Sequence, residues 1–123
     1  MERDAMIVAG FGCRSGADDA AMRAALAAHG RTVSALATLT HKARLVEPLA
    51  NALALPLILI DPAAIRGVAT PTQSAASLIA YGTGSVAEAV ALTAAGRGAR
   101  LIAARIISSD GRATCALAEG ILA

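Results

Sequence analysis

Glycine, cysteine and arginine are concentrated near the N-terminus, in the stretch M-I-V-A-G-F-G-C-R-S-G of residues 6–16. Its apolar start predicts a buried strand, and its three glycines predict a turn into an alanine-rich helix. Glycine lets a ligand approach the backbone closely, and a helix N-terminus presents unpaired N–H donors to an anion. The stretch is therefore predicted to bind an anionic or polar ligand, with these candidate residues: Gly10, Gly12, Cys13, Arg14 and Ser15.

The glycine spacing does not match a nucleotide-binding motif. Gly16 comes one residue late for the dinucleotide fingerprint, and no acidic residue ends the second predicted strand. The Gly-Lys-Ser/Thr of a Walker loop is also missing. A different anionic or polar ligand is favoured over a nucleotide, and a purely structural turn is the alternative.

Cys13 is a candidate nucleophile, because a helix start and Arg14 beside it would each lower its thiol pKa. The sequence offers only His29 and His41 as bases, and neither has a spacing that would pair it with the thiol. A buried or ligand-lining thiol is therefore favoured for Cys13. Cys115 lies in an apolar strand and is predicted to belong to the core.

Two further polar groups follow predicted elements. Thr38 and Lys42 come at the end of the second strand, where they could bind a carboxylate or belong to a solvated loop. Ser85 and Glu88 form a predicted capping box, in which the Glu88 side chain reaches back to the Ser85 N–H. The candidate ligand-binding residues in these two groups are Thr38, Lys42, Thr83, Gly84, Ser85 and Glu88.

Strand and helix signals alternate along the chain and predict a single α/β domain over residues 1–123. Predicted helices cover 17–28, a segment from Pro48 to about 55, short pieces near 62–66 and 74–80, and 85–95. Predicted strands cover 5–10, 32–39, 57–60, 100–107 and 112–117.

The arrangement of these elements predicts a three-layer α/β/α sandwich with a mixed, mostly parallel sheet and a C-terminal β-hairpin. The apolar run L-I-L-I at 57–60 is typical of the middle of a parallel sheet. The Asp110-Gly111 turn predicts the hairpin, with one antiparallel strand at the end of the sheet. Loops 10–16 and 37–42 should emerge together at the carboxyl ends of the strands, where such sheets bind ligands.

Composition excludes several classes of function. Apolar residues make up 56% of the chain but aromatic residues only 2%, and the net charge is +2 without a basic run. Nucleic-acid binding is therefore not expected. The two cysteines form no disulfide framework, and no Cys or His cluster has zinc spacing. We expect a soluble cytoplasmic protein with reduced thiols, no bound metal, no cofactor and no membrane segment.

Four segments together resemble one family, the cobalamin-biosynthesis protein CobE and the homologous C-terminal domain of CbiG. Residues 10–16 (G-F-G-C-R-S-G) look like its G-[IFL]-G-C-R-x-G opening, and 36–39 with Lys42 are similar to its L-A-[TS]-…-K segment. Residues 82–92 resemble its G-x-x-S-V-[AC]-E-x-x-A-L segment, and 114–118 its T-[VC]-A-[IL]-A finish. The family's K-x-x-E pattern is not kept: Leu45 stands at the acidic position, and the nearest acid is Glu47.

The resemblance implies a role in making the corrin ring. CbiG-type proteins are associated with opening the δ-lactone of cobalt-precorrin-5A and releasing acetaldehyde, whereas a stand-alone domain looks like the CobE type of the aerobic route. The first hypothesis is therefore a carrier or accessory protein that binds a precorrin or hydrogenobyrinate-type intermediate. The second is a hydrolase or lyase, like the precorrin-5A hydrolases, with Cys13 or a bound water as the reacting group. The third is a subunit held by an apolar surface to a pathway enzyme such as a precorrin methyltransferase.

Overall fold

A computed structural model of the chain describes residues 5–121. These residues form five strands and five helices, with a short 3-10 turn (Thr40–Lys42) directly before the second helix. The strands are β1 (Ala5–Cys13), β2 (Ala35–Leu39), β3 (Leu57–Ile60), β4 (Arg100–Ile107) and β5 (Ala113–Ile121). The helices are α1 (Asp19–Ala27), α2 (Ala43–Leu53), α3 (Pro62–Ile65), α4 (Ala75–Tyr81) and α5 (Val86–Ala95).

The five strands form one mixed sheet in the order β3-β2-β1-β5-β4. β1 pairs in parallel with β2, and β2 with β3. β5 runs antiparallel to both of its neighbours, β1 and β4, so it alone opposes the direction of the other four strands. The mixed α/β fold and its C-terminal hairpin are confirmed, but the antiparallel strand lies inside the sheet, because β5 inserts between β1 and the edge strand β4.

Helices cover both faces of the sheet and make three layers. On one face, α1 and α2 bury Met22, Val46 and Leu49 against the sheet residues Phe11 and Leu36. On the other face, α3 and α5 pack Ile65, Ala89 and Val90 against Val8, Ala37 and Leu39. Small side chains are common in both layers, which lets helix and strand backbones approach closely.

β1 is longer than the sequence predicts, and two glycines of the predicted turn lie inside it. Gly10 and Gly12 pair with Ala116 and Thr114 of β5. They are small because α5 crosses directly above: a Cβ at Gly10 would overlap the carbonyl oxygen of Ala87. The turn itself comes later, where the Ala17 N–H donates to the Arg14 carbonyl oxygen at 3.0 Å and Gly16 has φ +86°.

The start of α2 and the place of β3 in the sheet also differ from prediction. Pro48 lies within α2 rather than at its first turn. Proline has no N–H to donate to the Arg44 carbonyl oxygen. Because Pro48 and Arg44 are both exposed, water can donate to this oxygen instead. β3 has the predicted bounds, but it forms an edge of the sheet rather than its middle, and Leu59 is accordingly exposed.

In the described part of the chain, no single helix has the length and hydropathy needed to cross a membrane. Only the bent pair of Ala75–Tyr81 and Val86–Ala95 reaches that length and composition when taken together.

Candidate functional site

A cleft of about 350 Å³ opens at the edge of the sheet where β1, β2 and β4 end. The sheet supplies Phe11, Gly12, Thr38 and Leu39 to its lining, and α4 forms the opposite side with residues such as Ser77 and Tyr81. The strands thus bring their carboxyl ends together under a short helix, and the cleft lies where ligands bind in open α/β sheets.

Four cationic residues line the cleft, and they come from four different segments of the chain. They are Arg14 after β1, Lys42 after β2, Arg105 in β4 and Arg112 directly before β5. No aspartate, glutamate or histidine is among the lining residues, and the salt bridges within residues 5–121 are made by other arginines. The cleft therefore has an excess of positive charge that suits an anionic ligand.

Apolar side chains separate these cations. The cleft is also lined by Phe11, Leu39, Ala76, Val86 and Ile107. Such a lining excludes water from the face of an apolar ligand, while the cations provide specific contacts at its edges. The site thus fits a molecule with an apolar body and peripheral negative groups.

The turn after β1 brings two of the cations together. The Arg14 N–H donates to the Arg112 carbonyl oxygen at 2.7 Å, which joins the turn to the start of β5. The guanidinium of Arg112 packs on Gly16, at the place that a Cβ would occupy. Gly16 is therefore required both for its positive φ and for the room it gives to Arg112.

An aspartate caps the N-terminus of α1, where the sequence predicts anion-binding donors. Asp18 is its N-cap, and the carboxylate of Asp18 accepts from the Ala21 N–H at 2.8 Å. A capping aspartate takes up one N–H of a helix N-terminus and its charge opposes a second anion there, so anion binding at this end of α1 is disfavoured.

Cys13 lines the cleft, but its chemistry differs from the predicted activation. Burial raises the pKa of the Cys13 thiol to about 11, and the charge of Lys42 lowers this value only in part. The thiol donates to the sulphur of Met22 at 3.6 Å. A protonated thiol next to a thioether is a poor nucleophile at neutral pH. Cys115 is fully buried in the core, as predicted, and burial also raises the pKa of its thiol.

Thr38 and Lys42 both reach the cleft from the end of β2. The buried Thr38 hydroxyl donates to the Phe11 carbonyl oxygen at 3.0 Å, which holds β2 against the end of β1. Beside Lys42, the exposed His41 ring stacks on Tyr81 at 6.0 Å between ring centroids and is hydrogen-bonded to its hydroxyl at 3.0 Å. This contact fastens α4 to the turn after β2.

The third predicted group lies beneath α4 and outside the cleft lining. The Thr83 hydroxyl donates to the Val68 carbonyl oxygen at 2.7 Å, and the Ser85 hydroxyl accepts from the Glu88 N–H at 3.3 Å. A Cβ at Gly84 would overlap the Thr72 carbonyl oxygen. These contacts hold the loop before α4 and the N-terminus of α5 together.

Only half of the predicted capping box is present. Ser85 caps α5, but the fully buried Glu88 carboxylate turns away from the Ser85 N–H. Instead it accepts from the Thr72 N–H at 3.0 Å, the Thr72 hydroxyl at 2.6 Å and the Arg105 N–H at 2.9 Å. Three donors from a loop and a strand displaced the local contact that the sequence pattern suggests.

The structure thus divides the predicted site residues into two sets. Gly12, Cys13, Arg14, Thr38 and Lys42 line the cleft. The residues that do not line it are Gly10, Ser15, Thr83, Gly84, Ser85 and Glu88. Glu47 is exposed on α2 and is also absent from the lining.

Sequence analysis missed Arg105, Arg112 and the α4 side of the cleft. The available signal was the hairpin turn at residues 108–111, since a hairpin beside β1 must place its turn at one edge of the sheet. The order of strands was needed to know which edge, and the sequence left that order open.

Within residues 5–121, no group of three or more His, Cys, Asp or Glu residues could hold a metal ion. The polar side chains that line the cleft are its arginines and lysine, its serine and threonine hydroxyls, the Tyr81 phenol and the Cys13 thiol.

The fold and the cleft define a small α/β protein with a cationic cleft at the carboxyl edge of its sheet. The sequence model of the family described as "Cobalamin synthesis G C-terminus" matches residues 7–118. The chain belongs to this family, and it is a protein of cobalamin biosynthesis.

Solved structures of that pathway are similar to the chain over most of its length. CobE, described as a protein from the cobalamin (vitamin B12) biosynthetic pathway, is 34% identical, with a TM-score of 0.75 over 94% of this chain and 90% of its own. The cobalamin biosynthesis protein chiG from Agrobacterium tumefaciens strain C58 is 38% identical, with a TM-score of 0.67 over 92% of this chain and 97% of its own.

A longer protein shares the fold. A cobalamin biosynthesis protein G homologue from Sulfolobus solfataricus is 21% identical, with a TM-score of 0.72 over 93% of this chain and 36% of its own. No curated protein sequence matches this chain closely enough to count as a relative.

Proposed function

We propose that the cleft binds a precorrin or hydrogenobyrinate-type intermediate of the aerobic route, and that the protein acts as its carrier or as an accessory to ring modification. Such intermediates have an apolar macrocycle with acetate and propionate groups around it. The observation that carries the proposal is the arrangement of Arg14, Lys42, Arg105 and Arg112 around an apolar lining to which residues 5–121 contribute no acidic side chain. Guanidinium groups bind carboxylates through paired hydrogen bonds, and the lysine adds a point charge.

The volume of the cleft favours a carrier over a fully enclosed active site. At about 350 Å³ it lies near the lower end of the range for small-molecule pockets, roughly 300–1,000 Å³. A tetrapyrrole with its peripheral acids is larger than the ligands that fill such pockets. One edge of the ring would therefore enter the cleft, and the remainder would stay accessible to an enzyme.

The chemistry of the lining also favours binding over hydrolysis. A hydrolase needs a base or nucleophile at the reacting bond, and no carboxylate or imidazole from the described part of the chain lines the cleft. The Cys13 thiol, with a pKa of about 11, is a weak substitute. Hydrolysis of a precorrin lactone or acetyl group through Cys13 is the less favoured function, and retention of any turnover in Cys13→Ala would exclude the thiol mechanism.

The test is a titration of the protein with hydrogenobyrinic acid, followed by the visible absorption of the macrocycle. Saturable binding should weaken about tenfold in Arg14→Gln and in Lys42→Gln, since each loses a charge-assisted contact. Arg97→Gln removes an exposed arginine outside the cleft and serves as the control. Absence of saturable binding, or an equal loss in Arg97→Gln, would overturn the proposal.

The same titration tests whether the ligand belongs to the aerobic route and whether the protein is a carrier or an enzyme. A preference for cobalt-free hydrogenobyrinic acid over cobalt-containing cobyrinic acid is expected for the aerobic route. A ligand spectrum that returns unchanged on release identifies a carrier, whereas a new product spectrum identifies an enzyme.

A further inference from the structure

We infer that Glu88 is a positioning residue for Arg105, and that it sets the affinity of the cleft for a carboxylate-bearing ligand without touching that ligand. The inference rests on the proposed function, because it concerns the strength of the same binding site. Its physical basis is a buried carboxylate that joins the two sides of the cleft.

The backbone of β4 is irregular next to Arg105. β4 has one extra residue between its pairs Ala103–Leu117 and Ile106–Cys115 with β5, so the ladder is interrupted there. A bulge of this kind leaves one N–H without its strand partner and re-aims the side chain beside it. Here the Arg105 N–H donates to the Glu88 carboxylate at 2.9 Å.

The Glu88 side chain is 0% exposed, in the first turn of α5, a helix that is itself buried against the sheet. A buried carboxylate is costly unless donors surround it, and this one has three, from Thr72 and Arg105. The bulge is therefore held at a fixed distance from the rigid end of α5.

The Glu88 carboxylate also contacts Thr72, in the loop before α4. Thr72 precedes Ser74, which is the N-cap of α4 and lines the cleft. Glu88 thus connects the α4 side of the cleft with the β4 side that carries Arg105. The contact fixes the Arg105 backbone, so the side chain starts from a fixed Cα and its guanidinium samples less space before a ligand binds, which increases its contribution to affinity.

The experiment compares Glu88→Gln, Arg105→Gln and the double variant in the hydrogenobyrinic acid titration. A glutamine keeps the shape, but it has one acceptor oxygen where glutamate has two, so it cannot accept from both the Thr72 N–H and the Arg105 N–H. Each single variant should weaken binding about tenfold, and the double variant should bind no more weakly than Arg105→Gln alone. Glu88→Gln should also reduce the dependence of the dissociation constant on salt, although it removes a negative charge, because the Arg105 guanidinium then contributes less to ligand binding; a general loss of packing would not do this.

Arg97→Gln is the control, because it removes an exposed arginine outside the cleft and leaves the Glu88 contacts in place. Its affinity should stay within about twofold of the parent protein. Should Glu88→Gln fail to fold, Glu88→Asp replaces it; the shortened carboxylate should weaken binding and reduce the salt dependence in the same way.

The outcomes separate the two proposals. If the parent protein binds and the losses in Glu88→Gln and Arg105→Gln add in the double variant, Glu88 does not act through Arg105 and this inference is wrong. Unchanged binding in Glu88→Gln would also overturn it. If the parent protein binds no corrinoid, the proposed function fails first, and the inference falls with it.

Discussion

The guanidinium of Arg112 lies where the side chain of residue 16 would begin, so Gly16 and Arg112 occupy their positions together. Arg112 is one of the cleft cations, and Gly16 has φ +86° in the turn after β1. Glycine at position 16 is thus favoured both by the local backbone conformation and by a residue 96 positions later in the chain.

Gly16→Ala is expected to lower the free energy of unfolding and the affinity for the ligand, each for a different physical reason. The positive φ should cost about 1 kcal/mol of unfolding free energy, and the flexible end of Arg112 can move aside at little extra cost. The displaced guanidinium should then weaken hydrogenobyrinic acid binding several-fold. Denaturant unfolding and the absorption titration measure the two effects.

Gly98→Ala is the matched control for this prediction. Gly98 has φ +80°, but a Cβ there would meet no atom within 4 Å. Its stability loss should equal that of Gly16→Ala, and its ligand affinity should be that of the parent protein. Equal affinities in the two variants would show that Arg112 does not depend on Gly16.

Gly10→Ala should be far more destabilising than Gly12→Ala. A Cβ at Gly10 would overlap the Ala87 carbonyl oxygen and lie 2.6 Å from the Ala91 backbone nitrogen, and neither can move without shifting α5. Overpacking of this kind costs about 1–3 kcal/mol or more. At Gly12 the nearest atom is the Thr114 hydroxyl at 2.7 Å, which rotation of a side chain can relieve. Urea unfolding of both variants is the measurement, and equal losses would contradict the close approach of α5.

Most elements could be predicted because their signals are local. The apolar run of β3, the Ser85 cap of α5 and the Asp110-Gly111 turn each specify an element within a few residues. The glycines at 10 and 12 could not be assigned in this way. A glycine needed for a turn and one needed under a crossing helix look the same in sequence, and only the position of α5 decides between them.

The cleft was predictable only in part for a related reason. Arg14, Thr38 and Lys42 follow the first two strands, whose parallel pairing places their ends side by side. Arg105 and Arg112 reach the cleft because β5 inserts beside β1, a long-range pairing that no local pattern specifies. Glu88 was assigned to a local cap, whereas donors more than fifteen residues away bind its carboxylate.

The reactivity of Cys13 should follow a thiol pKa of about 11. At pH 8 only about one part in a thousand would be thiolate, so alkylation by iodoacetamide should be about a hundredfold slower than for an exposed cysteine. The rate should rise about tenfold per pH unit up to about pH 11. Because the Lys42 charge lowers this pKa, Lys42→Gln should slow the reaction further, and Arg97→Gln should leave it unchanged. A plateau in the rate below pH 9 would contradict the burial of the thiol.

The contact between His41 and Tyr81 should control the local stability of α4. This helix has no buried residue, and Leu78 and Ile79 are 45% and 87% exposed, so the Tyr81 ring is the main side chain that packs its C-terminal end, beside the Ser77 hydroxyl that donates to the Thr83 carbonyl oxygen at 2.6 Å. Tyr81→Ala should therefore accelerate amide hydrogen exchange across residues 75–81 about tenfold, while exchange in α5 stays unchanged. Tyr81→Phe keeps the stacking and loses the 3.0 Å hydrogen bond, so it should show an intermediate rate. Ile79→Ala removes an exposed side chain of the same helix and should show the parent rate; if it matched Tyr81→Ala, helix propensity rather than the His41 contact would determine the stability of α4.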